Sequence, residues 1–196
     1  MKRTRMLWIS LVTVFFIFST TLHAKAETFT LDDNHTYVLW SIKHLGFSTQ
    51  SGKWYASGQL VLDKDHLDKS KVEASINLEN TVTGLPELDK HLKSKLFFDV
   101  EHFPKATFVS NKVSVTGKNT AKVSGILTLH GVSKPVVLNV TFNKAGVNPI
   151  NNKPTVGFSA TAKIKRSDFG MNTLIPSLGD DVELKIDAEA NQEKQE

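Results

Sequence analysis

The sequence predicts an all-β fold with one short helix, and three observations carry that reading. Hydrophobic residues recur at every second position through most of the chain, the segments that do so are joined by short turn-rich links, and a single stretch has helical spacing. Alternation places successive side chains on opposite faces of a strand, so each such segment has one apolar and one wet face. Short links between one-sided strands imply antiparallel pairing, because parallel strands need long crossovers and are usually buried on both faces.

The N-terminus comes first. Lys2, Arg3 and Arg5 precede an apolar run from Leu7 to Phe18, and Ala24-Lys25-Ala26 supplies small residues for cleavage. This is the pattern of a secretory signal peptide over residues 1–26. The expectation is a mature chain of residues 27–196, periplasmic or secreted. No second apolar stretch of about 18 residues follows, so stable membrane insertion is not expected.

Eight strands are then predicted, at residues 36–42, 53–62, 71–78, 106–115, 120–129, 136–142, 156–164 and 181–190. In the third, Val72, Ala74, Ile76 and Leu78 alternate with Glu73, Ser75 and Asn77; in the last, Val182, Leu184, Ile186 and Ala188 alternate with Glu183, Lys185, Asp187 and Glu189. Gly117-Lys118-Asn119 and the stretch from Asn148 to Pro154 read as turns. The helix is expected around Pro86, with Leu85, Leu88, Leu92 and Leu96 at spacings of three and four over roughly three turns. One such helix covers little of eight strands. Their apolar faces must cover one another, as two stacked sheets or as one sheet closed into a barrel.

Charge and composition exclude several classes of function. The chain has 24 Lys and Arg against 20 Asp and Glu, and four of the basic residues with none of the acidic ones lie in residues 1–26. Residues 27–196 are therefore formally neutral, and the basic stripe expected of a nucleic-acid binder is missing. The chain has no Cys, which removes disulfides, thiol catalysis and Cys-ligated metals. His35, His44, His66, His91, His102 and His130 show no ligand spacing, so neither a metal site nor a cofactor is expected. There is no G-x-S-x-G elbow and no Gly-rich loop ahead of a helix. Asp89 and His91 are the best acid–base candidates, but two positions apart on a helix they do not share a face.

Large and small residues alternate on the apolar faces: Trp40, Phe108, Phe142 and Phe158 against Ala74, Gly125, Gly157, Ala160 and Ala162. The pattern fits a filled core, the default for a β domain, and also a tunnel left open between the large side chains, the less common arrangement in small barrels.

Four segments in series then resemble the YceI-like family. They are His35-Thr36-Tyr37-Val38-Leu39-Trp40-Ser41-Ile42-Lys43-His44-Leu45-Gly46, the stretch from Asp89-Lys90-His91-Leu92 through Phe97-Phe98-Asp99-Val100 to Phe103-Pro104-Lys105-Ala106-Thr107-Phe108, the run from Gly125 to Val136 containing Leu129-His130-Gly131-Val132, and Arg166-Ser167-Asp168-Phe169-Gly170-Met171. The resemblance covers residues 28–190. It implies an eight-stranded antiparallel lipocalin-like β-barrel that holds a polyisoprenoid or other long-chain lipid, with the tail inside and the polar head near the opening. It brings no catalytic residues. The family often has Arg immediately before the Asp of the helix segment, where this chain has Leu88.

On that resemblance Val38, Trp40, Ile42, Phe108, Leu127, Leu129, Phe142 and Phe158 are expected to line the pocket. Asp89, His91, Arg166 and Asp168 are expected at a polar rim, although Arg166 and Asp168 fit the pinning of a turn equally well. The function expected is transport, storage or stress protection by an exported lipid-binding protein. An enzyme acting on a lipid-like substrate and a filled structural barrel without ligand are the alternatives.

Overall fold

The alternating segments form strands in the computed structural model, which describes residues 26–192. The segment expected to be a signal peptide therefore lies, Ala26 aside, outside the described residues. In chain order the strands are β1 Glu27–Leu31, β2 Tyr37–His44, β3 Ser48–Leu62, β4 Lys71–Asn77, β5 Lys105–Val115, β6 Thr120–Leu129, β7 Val132–Val147, β8 Pro154–Lys165 and β9 Leu178–Gln192. The helix α1 spans Pro86–Lys93. Strands β2 to β9 are antiparallel to their neighbours and close on themselves, because β3 pairs with β4 as well as with β2, and β9 pairs with β2. The result is a closed eight-stranded antiparallel barrel.

The ninth strand does not add a stave. β1 pairs with β3 through Thr28–Val61 and with β9 through Leu31–Ala190, continuing the line of β2 beyond Tyr37. A turn at Asp32–His35 separates β1 from β2. There His35 N–H donates to the Asp32 carbonyl at 3.1 Å, and Thr36 Oγ1 donates to the Glu189 carbonyl at 2.9 Å.

Antiparallel order gathers the β2–β3 and β6–β7 hairpins, the β8–β9 loop and the long β4–β5 connection at one end, called here the helix end. The β6–β7 hairpin turns on His130 and Gly131 with φ of 51° and 71°, which gives the handedness that a two-residue hairpin needs. Helix α1 begins on Pro86, as its fixed φ and missing N–H allow. It stops two turns later, shorter than the leucine spacing predicts. After Lys93 the chain folds back: Phe98 N–H donates to the Leu92 carbonyl at 2.9 Å and Val100 N–H to the Lys93 carbonyl at 3.1 Å. Burial of Phe97, Phe98 and Val100 outweighs continuation of the helix, leaving Leu85 and Leu96 exposed at its two ends.

Candidate functional site

The inside of the barrel is apolar, and its packing divides into two clusters. The larger, toward the helix end, joins Val38, Trp40, Trp54 and Leu184 of the strands to Leu78, Leu92, Phe97 and Phe98 of the β4–β5 connection and to Phe169 and Met171 of the β8–β9 loop. The smaller, at the opposite end, is Phe29, Leu31, Val156 and Ala190, with Leu60, Leu62, Ala74 and Phe158 packed on it. Small residues lie along the inner registers between the two clusters. Gly125 leaves room for the Phe108 ring, which a Cβ would strike. Ala160 stands opposite Val140 and Ile186, and Ala188 stands opposite Phe158.

Phe108, Leu127, Leu138, Val182 and Ile186 hold inner-face positions beside that cluster yet stay only half-buried. Side chains that face into the barrel owe the exposure they keep to space within it, at its mouth or at a gap in its wall. That space is bordered by apolar side chains. It fits an extended hydrocarbon better than a polar ligand.

The eight expected lining residues all fall on this inner face. Val38, Trp40 and Leu129 are buried, while Ile42, Phe108, Leu127, Phe142 and Phe158 are half-buried. Trp40 lies flat over Gly52, whose bare Cα makes the approach possible. Trp54, which the sequence reading did not single out, packs on Trp40 with ring centroids 5.8 Å apart and on Phe98 at 5.3 Å. Its Nε1 donates to Thr81 Oγ1 at 2.9 Å and Thr81 Oγ1 donates to the Leu78 carbonyl at 2.7 Å, so these two buried groups are satisfied, whereas the buried Trp40 Nε1 has no hydrogen-bond partner among the described residues. Alternation of Gly52, Trp54 and Ala56 was the signal that could have found it.

The four expected rim residues all lie at the helix end, in different situations. Arg166 is buried, and its Nε, Nη1 and Nη2 donate to the carbonyls of Gly179, Met171 and Leu178 at 2.8, 2.9 and 3.0 Å. Burial pulls its pKa down, and the nearby Asp180 carboxylate opposes that pull. Arg166 thus holds the β8–β9 loop closed. Asp89 is likewise engaged, its Oδ1 accepting from the Thr83 N–H and hydroxyl, both at 2.7 Å. His91 is exposed and packs edge-on against Phe97, centroids 5.0 Å apart. Asp168 is exposed on the 3-10 turn Arg166–Phe169. Among the described residues no group of three His, Cys, Asp or Glu is placed to hold a metal ion.

The wall parts on one side. β7 and β8 pair from Asn139–Thr161 outward, while the first half of β7 is bonded to β6 alone. Pro135 sits in that half, where a strand with a free edge tolerates its missing N–H. The turn Arg166–Phe169 packs against β7, β8 and β9 there, with Phe169 only 1 % exposed and its carbonyl 3.0 Å from His130 Nδ1. Lys134, on the inner register opposite Leu127, is nevertheless exposed. It interrupts the apolar series Val132, Val136, Leu138, which is a readable sign of an opening.

A model of the YceI-like domain matches residues 29–190. A UPF0312 protein of Pseudomonas savastanoi pv. phaseolicola is 36 % identical over 174 residues, 87 % of this chain and 90 % of the relative. Among solved structures, BcnA of Burkholderia cenocepacia superposes with a TM-score of 0.73 at 24 % identity, covering 81 % of this chain and 98 % of its own. A polyisoprenoid binding domain from Saccharophagus degradans, implicated in plant cell wall breakdown, superposes with a TM-score of 0.64 at 14 % identity over 86 % of this chain and all of that one.

Proposed function

The chain belongs to the YceI-like family, and on that premise we propose that it is an exported binding protein that holds a polyisoprenoid or similar long-chain lipid inside its barrel. The observation that carries this reading is the half-buried inner face, a closed barrel whose inner residues Phe108, Leu127, Leu138 and Ile186 keep exposure beside the larger apolar cluster. The polyisoprenoid binding domain that shares the fold supports the choice of ligand. Export rests on the basic and apolar N-terminus and the small residues ahead of Glu27.

Tail burial dominates such binding. One isoprene unit contributes about 3–4 kcal/mol at roughly 0.8 kcal/mol per buried carbon, so several units outweigh the several kcal/mol needed to order the chain. A binding rather than catalytic role is supported by the use of Asp89 and Arg166 to hold their own loops. Mass spectrometry of the organic extract of gently purified protein should find a long-chain prenyl compound near one per barrel. Protein that carries none and takes up no added polyprenyl phosphate would favour the filled structural barrel.

A further inference from the structure

The helix end gathers several exposed hydrophobic side chains. Phe47 and Leu45 at the β2–β3 hairpin, Leu96 after α1, and Leu174 and Ile175 in the β8–β9 loop are all exposed, Phe47 at 91 % and Leu174 at 60 %. The three segments touch: the Leu45 N–H donates to the Ser177 carbonyl at 3.0 Å, and the Thr173 hydroxyl donates to the Leu96 carbonyl at 2.6 Å. Residues 43–48, 90–96 and 171–179 also carry Lys43, Lys90, Lys93 and Lys95 and no Asp or Glu. Lys93 reaches Glu79 at 3.7 Å, and the first turn of α1 adds Glu87 and Asp89, the latter bonded to Thr83. The β8–β9 loop adds the exposed Asp168, and the start of β9 adds Asp180, which is bonded to Ser167 and 3.9 Å from Lys165. Lys43 lies against Gly179, beside the apolar tips, and Lys95 is the neighbour of Leu96.

Singly exposed apolar residues are ordinary, but a group gathered on touching loop tips with lysines beside it marks an interaction surface. Apolar side chains on three loop tips match the shallow apolar zone beneath lipid headgroups, and the lysines match anionic phosphates there. We infer that the helix end docks on an anionic bilayer surface, which brings the end beside the β7–β8 parting against the membrane. The docking surface is separate from the lumen, so it stands whatever the barrel carries.

The test is cosedimentation of the protein, as its producing cells release it, with vesicles of phosphatidylcholine alone and of phosphatidylcholine with phosphatidylglycerol at about 2:1. Phe47→Asp with Leu174→Asp forms one variant and Lys43→Glu with Lys95→Glu another; all share one N-terminus, thermal melts check folding, and lipid content is measured on the same samples. The wild type should partition onto the anionic vesicles at least about fivefold better than onto neutral ones, since each lysine near such a surface is worth about that factor. The aspartate pair should lose roughly tenfold or more on both vesicles, and the glutamate pair should lose only the anionic preference. Equal partitioning onto the two vesicles, or variants that bind like the wild type, would overturn the proposal. So would a concentration-dependent dimer that the aspartate pair abolishes, because the apolar tips would then belong to a second copy of the chain.

Discussion

Replacing Leu127 with Trp should deprive the barrel of its lipid while leaving it folded. Leu127 lies on the inner face of β6, opposite Phe108 of β5 and Lys134 of β7, and is half-buried. Trp adds about six heavy atoms to the side chain, close to the volume of one isoprene unit, and placed there it excludes that unit from the lumen. At roughly 0.8 kcal/mol per buried carbon the loss is about 3–4 kcal/mol, or about two to three orders of magnitude in Kd. Leu129, two residues on along the same face, is only 3 % exposed and close-packed. Leu129→Trp therefore overfills a full site and should cost about 1–3 kcal/mol of stability, where Leu127→Trp costs much less. Delipidated wild type and both variants are titrated with a radiolabelled polyprenyl phosphate, and urea melts give the stabilities. Wild-type affinity in Leu127→Trp, or a stability loss at Leu127 as large as at Leu129, would show that no chain threads past β6.

Arg166→Met leaves the carbonyls of Met171, Leu178 and Gly179 without their donor; chemical denaturation should show a loss of about 3 kcal/mol or more, and a loss under 1 kcal/mol would deny the loop its pin. Trp54→Phe removes the bond to Thr81 while keeping the ring contacts with Trp40 and Phe98, so a loss of about 1 kcal/mol with no change in lipid content is expected from denaturation and extraction together. Asp180 is desolvated, but the Ser167 N–H and hydroxyl, with Lys165 and Arg166, hold its carboxyl below the ordinary 3.8. A depressed carboxylate stabilises the fold above its unfolded value, and that contribution is lost as pH falls through the folded one. Asp180→Asn should therefore flatten the acid limb of the stability–pH curve below about pH 4, and an unchanged limb would assign it to other carboxylates.

Much of the barrel was legible because most of its strands alternate over most of their length. Val182, Leu184, Ile186 and Ala188 mark β9 against four charged or acidic neighbours, and burial of one face fixes the register. The strand ends were less visible. Ser48-Thr49-Gln50-Ser51 opens β3 with no hydrophobic contrast, so its pairing with Ser41–His44 is set by the hairpin and not by composition. β1 shows Phe29 and Leu31 two apart, but five residues give little signal, and its place in the stave of β2 depends on β3 and on β9, the latter more than 150 residues away. Helix α1 was overread because Leu85 and Leu96 share the leucine spacing without being buried; the competing pull of Phe97 and Phe98 into the barrel end is a tertiary effect.

The site divides in the same way. The eight positions expected at the lining from the resemblance sit on faces that alternation marks, and they lie on the inner face, whereas the polar candidates needed knowledge of where loop carbonyls converge. Nothing local to Arg166 says that Gly179 and Leu178 will accept from it. His130 and Gly170 belong to the same structural group: one bonds the Phe169 carbonyl and the other, at φ of 78°, closes the 3-10 turn. Several of the residues that carry the family resemblance thus fasten the loops of the helix end, and the inner face of the barrel is left to ordinary aliphatic and aromatic residues. Trp54 and Lys134 were missed because one resembles plain core and the other plain surface.

The most direct measurement is a crystal structure of the protein loaded with a polyprenyl compound. Density for the tail should run inside the barrel between the two apolar clusters, in contact with Phe108, Leu127, Leu138 and Ile186. An interior filled by those side chains, with the lipid bound outside the barrel or not at all, would contradict the lumen on which the proposed function rests.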